Sequence, residues 1–164
     1  MNSSVSALDR TSAALAYIMP LGTILPAGFI FLTTYSSTGL TAVVETVLSS
    51  LGPLLFILAP LLSLTRGTAG FVVFILLFAF VVRNPNISRF IRFNVLQAVL
   101  VSFVASVLML ITTLPGLSLL AVPVFSLVFL VGFVIVIYSV IQSLLGRYAD
   151  IPTISDAINT QLPY

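Results

Sequence analysis

From Phe93 to Gly146 the chain carries no charged side chain, and between Arg10 and Arg83 it carries only Glu45 and Arg66. Uncharged runs of that length point to a bilayer, where about 20 apolar residues in helical form cross a hydrocarbon layer roughly 30 Å thick. The chain therefore reads as an integral membrane protein. It is all-α, because lipid offers no partner to an unbonded backbone group and a helix satisfies its own. Composition agrees, with 60% hydrophobic and 6% charged residues, against roughly a quarter charged in soluble domains. With no Cys and no His, a disulfide framework, a thiolate or imidazole metal site, and any mechanism using a His base or Cys nucleophile are excluded. A net charge of +2 is too small for a nucleic-acid-binding face. No cofactor is expected.

Pro, Gly and charge divide the apolar sequence into segments. Residues 69–82 lie between Arg66 and Arg83, residues 93–114 end at Pro115 and Gly116, and residues 122–145 end at Gly146 and Arg147. Each reads as a span. Residues 44–64 contain Ser49, Ser50, Gly52, Pro53 and Pro60 and read as a kinked span packed against protein. Residues 13–32 are apolar but interrupted by Pro20, Gly22, Pro26 and Gly28, a pattern that fits a span, a re-entrant or a surface segment alike; we read it as accessory or re-entrant. Arginine counting supports that choice. If 13–32 does not cross, Arg10, Arg83, Arg89, Arg92 and Arg147 share one side and Arg66 lies alone on the other; if it crosses, the bias weakens. The expected architecture is a polytopic four-helix transmembrane bundle over 44–145. Around it lie a polar N-terminus at 1–12, the accessory segment at 13–32 and a C-terminal tail at 146–164 carrying a short docked helix. Both termini fall on the positive side.

The loop and helix start RNPNISRFIRFNVLQAVL, residues 83–100, hold half of the chain's Arg. Asn84-Pro85 stops one helix, and Asn86 or Ser88 caps the next. Arg83, Arg89 and Arg92 then serve either as lipid-phosphate anchors or as part of a functional mouth with Asn94 and Gln97. Asn94, Ala98, Ser102 and Ser106 recur every fourth residue and share one helical face. Such small-residue faces let helices approach closely, with hydroxyls and amides bonding across at about 0.6–2 kcal/mol each; a wettable pathway is the alternative. Ser139 and Ser143, beside Gln142, form a similar face on the last span.

In the tail, an X-Pro turn precedes Thr153, a helix-cap candidate with Asp156 three residues on. Asp150 and Asp156 are expected on the same side as Arg89 and Arg92, where a salt bridge would close the tail over the loop. Glu45, the only Glu, belongs at the membrane interface, since a buried charge is expensive.

The run RNPNISRFIRFNVLQAVL, followed after one more span by YSVIQSLLGRYADIPTISDAINTQLP, resembles the twenty-kilodalton subunit family of the chloroplast inner-envelope translocon (Tic), with its cyanobacterial and plastid-encoded relatives. The likeness covers residues 66–163, and Tyr17-Ile18-Met19-Pro20 is similar to the family's Tyr-x-x-Pro opening. It implies a four-helix membrane component of protein import, in the chloroplast inner envelope or a cyanobacterial membrane, with stromal or cytoplasmic termini. Its implied partners are other translocon membrane subunits, preproteins in transit and the lipid bilayer. The residues carried over are Arg83, Arg89, Arg92, Asn94, Gln97, Asp150 and Asp156. The chain departs from the family pattern at Val101-Ser102-Phe103, where an Asp is common, and in a longer, more polar segment 33–50. A structural or assembly subunit of a larger membrane complex, such as a photosynthetic one, is the competing reading. A small-molecule transporter would show a mid-membrane charged or coordinating group, and an enzyme would need a carboxylate pair, a His or an activated Ser.

Overall fold

Serine caps and glycine turns end the helices. In the computed structural model, which describes residues 5–35 and 39–162, Ser6 Oγ accepts from Asp9 N at 3.1 Å and opens α1, Ala7–Leu15. Residues 1–4 of the polar N-terminus, 36–38 of the segment 33–50, and Pro163 and Tyr164 of the tail lie outside the described residues. Then come α2 (Ile18–Thr34), α3 (Gly39–Ser63), and α4 (Gly67–Leu77) with its continuation Phe78–Val82 as a π-turn. The chain closes with α5 (Arg89–Ile111), a short 3₁₀ turn, α6 (Ala121–Leu144) and α7 (Ile154–Gln161). Ser88 Oγ caps α5 by accepting from Ile91 N, and Gly146, at φ 72°, supplies the left-handed residue after α6.

The all-helical polytopic membrane fold is as expected. Ala7–Thr34, Arg89–Ile111 and Ser118–Leu144 are each long and apolar enough to cross a membrane. The bent pair Phe56–Ser63 and Gly67–Val82, meeting at 78°, makes a fourth span if counted as one.

One segment takes another place than the sequence suggested. The segment 13–32, expected as accessory or re-entrant, lies at the centre. Tyr17, Ile24, Ala27 and Phe31 pack with Ala98 and Ala105 of α5 and with Val128, Phe129 and Val136 of α6. Gly28 is what makes this possible, because a Cβ there would meet the Phe129 ring at 2.5 Å. On α3, within the span read at 44–64, Leu54, Phe56, Ile57 and Leu61 are exposed while Leu62 is buried. The residues that look like helix breakers are thus the ones that let α2 into the core. A bulkier sequence would have left it outside.

Chain direction follows from the contacts. The start of α2, the start of α5 and the end of α6 meet at one end of the bundle, through Tyr17, Asn94 and Ser143. Arg92 Nε donates to Val82 O at 2.8 Å, so the π-turn returns to that same end. The bent pair therefore makes one net passage. Arg10, Arg83, Arg89, Arg92 and Arg147 all gather at this end, even though Ala7–Thr34 runs the length of the bundle. The charge bias survives because the Arg66 break lies within the bundle and not beyond it.

Candidate functional site

The carried-over amides, Asn94 and Gln97, sit in the second and third turns of α5 with no exposed surface. Amides so placed must find partners, since an unsatisfied buried polar group costs about 1–3 kcal/mol. The partners come from three directions. Tyr17 OH lies 3.0 Å from Asn94 Oδ1 and 2.8 Å from Gln97 Oε1, and shares its single hydrogen between them. Ser143 Oγ, on α6, lies 2.9 Å from Asn94 Oδ1 and 2.7 Å from Ser139 O. Asn94 Nδ2 donates to Phe90 O at 2.8 Å, and Gln97 Nε2 donates to Ala149 O at 2.9 Å. One cluster thus ties the start of α2, the start of α5, the end of α6 and the tail. Its geometry is that of a clamp. Acceptor oxygens point inward at hydroxyls.

Of the stripe read from α5, Asn94, Ala98 and Ser102 are buried, and Ser102 Oγ donates to Ala98 O at 2.9 Å. Ser106, a turn further, is exposed. The Ser139 and Ser143 face meets Asn94, while Ser102 and Ser106 lie apart from it. Tyr17 is the residue that sequence reasoning left without a role. Its signal was the Tyr-x-x-Pro opening, but a tyrosine in an apolar run gives no hint of which helix its hydroxyl will reach.

The arginines form a second layer. Arg92, bonded to Val82 O, places a cation at the carboxyl end of the α4 π-turn, where the helix dipole favours it. Arg89 Nη2 donates to Asn159 Oδ1 at 3.2 Å, and its guanidinium lies 5.9 Å from the Tyr148 ring centroid. Arg83 and Arg147 are exposed. The tail docks, but without the expected salt bridge: among the described residues neither Asp150 nor Asp156 pairs with Arg89 or Arg92, and both are exposed. Apolar contact supplies the hold instead, with Ile158 and Leu162 buried against Val82, Phe93, Val95 and Leu96. Thr153 occupies the cap position of α7 with φ 71° and makes no side-chain cap bond. The turn is fixed by Ser155, whose Oγ accepts from Ile151 N at 2.8 Å.

A third feature lies deeper. Pro26 has no N–H, so within α2 it leaves the carbonyl four residues earlier, that of Gly22, without its helical donor. Arg66 Nε donates to that oxygen at 3.1 Å. The approach is close, since a Cβ on Gly22 would collide with Thr65 Oγ1. At 1.5 Å per residue, Gly22 lies about 18 Å from the Thr34 end of α2 and roughly 20 Å from the Arg89 level. Arg66 thus sits near mid-depth, at the start of α4, where Gly67 turns the chain with φ 54°. The sequence reading put this turn on the far side. A mid-depth arginine costs about 2.5–3.5 kcal/mol on insertion scales. It opens onto a groove of about 530 Å³ between α2, α4 and α5.

Comparison with known proteins bears on the whole chain. The family model described as "Chloroplast import apparatus Tic20-like" matches residues 7–158. The "Tic20 family protein" of Synechocystis sp. is 35% identical over 174 residues, covering 99% of this chain and 98% of that protein. "Protein TIC 20-v, chloroplastic" of Arabidopsis thaliana is 30% identical, covering 97% of this chain and 73% of that protein. "Protein TIC 20-II, chloroplastic" of the same plant is 37% identical, over 63% of this chain and 54% of that protein. The match begins at α1 and runs into α7, so it takes in Tyr17, the α5 amides and the end of α6 together. The chain belongs to the Tic20 family.

Proposed function

We propose that this chain is a membrane component of a protein-import translocon, contributing to preprotein translocation across the chloroplast inner envelope or a cyanobacterial membrane. The observation that carries the reading is the family match over residues 7–158, held at 35% identity along nearly the full length of a cyanobacterial relative. The clustering of Arg10, Arg83, Arg89, Arg92 and Arg147 at one end supports stromal or cytoplasmic termini by the positive-inside rule. Its partners are other translocon membrane subunits and preproteins in transit. No catalytic step is assigned to it.

Within this reading, Asn94 and Gln97 act by holding the helices around the path rather than by lining it. Full burial of both amides favours that role. The same observation favours the rival reading, a structural or assembly subunit of a larger membrane complex, which needs the clamp and no path. A direct test is to deplete the chain from its native membrane and measure import of a labelled preprotein, with mild-detergent purification of the tagged chain in parallel. Import should fall and translocon subunits or arrested preproteins should co-purify. Undiminished import, with only photosynthetic or respiratory subunits attached, would replace the import role with the assembly role.

A further inference from the structure

The groove beside Arg66 is open toward the surroundings of the bundle and is walled by helices. Its lining combines the small or hydroxylated residues Thr23, Gly70, Ser102 and Ser106 with large apolar side chains such as Phe71 and Leu110. The bond to Gly22 O occupies one of the several N–H donors of the Arg66 guanidinium. Among the described residues no carboxylate pairs with it. A glutamine could supply the Gly22 bond alone, so the positive charge is in excess of what the fold requires.

We propose that this groove receives a transmembrane helix of a partner subunit, which brings an Asp or Glu near its own midpoint to Arg66. Charge complementarity selects the carboxylate: at membrane depth an arginine is accommodated by an opposite charge or by water. The lining selects a helix, because Gly67 at the start of α4 and Ser102 and Ser106 on α5 admit a close backbone and apolar neighbours cover its sides. A lipid phosphate is the wrong depth, since headgroups lie at the edge of the hydrocarbon layer. A second copy of this chain is poorly equipped. Its Asp150 and Asp156 sit at the clamp end, as does Asp9 in the first turn of α1, which leaves only Glu45 of α3. The inference rests on the chain's being a membrane protein and not on the import role, so it stands or falls separately from it.

The test places a photo-crosslinking benzophenone residue at Ser106 or Phe71 of the full chain in its native membrane, followed by peptide mapping of the adduct. The expected product joins this chain to an apolar segment of another protein that carries a carboxylate within a turn or so of its midpoint. Arg66→Glu should then lower the adduct by about thirtyfold or more, the loss that follows removal of one side of a desolvated pair. Exchange of the partner's carboxylate for Arg should restore it. Arg66→Gln, which keeps a donor for Gly22, should lower the adduct while leaving thermal unfolding of the purified chain unchanged. Adducts to lipid alone, to the Glu45 region of a second copy, or to a segment without a carboxylate would overturn the proposal. So would an undiminished adduct in Arg66→Glu, or failure of the reversed pair to recover it.

Discussion

The clamp around Asn94 and the break at Arg66 both place polar groups among apolar helices, and they resolve the problem in opposite ways. In the clamp the hydroxyls of Tyr17 and Ser143 converge on amide oxygens that no solvent reaches. At the break, a guanidinium repairs one carbonyl freed by a proline and leaves the rest of its charge facing an open groove. The amides of the clamp find their partners within one chain, while among the described residues no carboxylate meets Arg66; the proposed partner helix makes the first a device for folding and the second a device for association.

The contrast is easiest to break at the clamp. Asn94→Leu removes the oxygen shared by Tyr17 and Ser143, and should destabilise the purified protein by about 2–3 kcal/mol, near the upper range for stranding buried hydroxyls. Thermal unfolding in detergent measures this, and a wild-type melting point would mean that the amide is not holding the helices. Gly22→Ala comes next. Its Cβ collides with Thr65 Oγ1, so the break must shift, at about 2 kcal/mol by the usual cost of overpacking. Full stability in that variant would show that the Thr65 turn does not dock on α2.

Tyr17→Phe keeps the ring and removes one shared hydrogen, so about 1 kcal/mol is expected, in line with polar bonds between membrane helices. Combined with Ser143→Ala it should show a coupling of about 0.5 kcal/mol or more, and strict additivity would separate the two hydroxyls. Arg66 sharpens the comparison from the other side. Arg66→Gln should change the stability of the isolated chain by less than about 0.5 kcal/mol, whereas Arg66→Leu, which strands the Gly22 carbonyl, should cost about 1 kcal/mol. Equal losses in both would assign the charge itself to folding. Smallest of all, Asp156→Asn should leave unfolding within about 0.5 kcal/mol of wild type, because the tail is held by Ile158, Leu162 and Ser155. A larger loss would bring the salt bridge back.

Much of the outline is legible in the sequence. A helix end needs only local chemistry, so Ser88 before α5, Pro115 and Gly116 after it, and Gly146 after α6 mark their boundaries in the sequence alone. The α5 amides were legible as a face for the same reason, since period and polarity are local properties. The role of that face was not, because a pathway and a packing contact have the same spacing. Only the position of Tyr17, far away in sequence, closes it.

What the sequence determined by itself was the solvent of this protein and its helical class, because hydropathy and backbone satisfaction in lipid act segment by segment. Tertiary structure decided the rest. Pro20, Gly22, Pro26 and Gly28 count as breakers by local propensity, yet α2 is central. Glycine there admits Phe129 and Thr65, and a distant arginine supplies the hydrogen bond that proline removed. Which side chain fills a missing donor, and at what depth, is settled by neighbours in space.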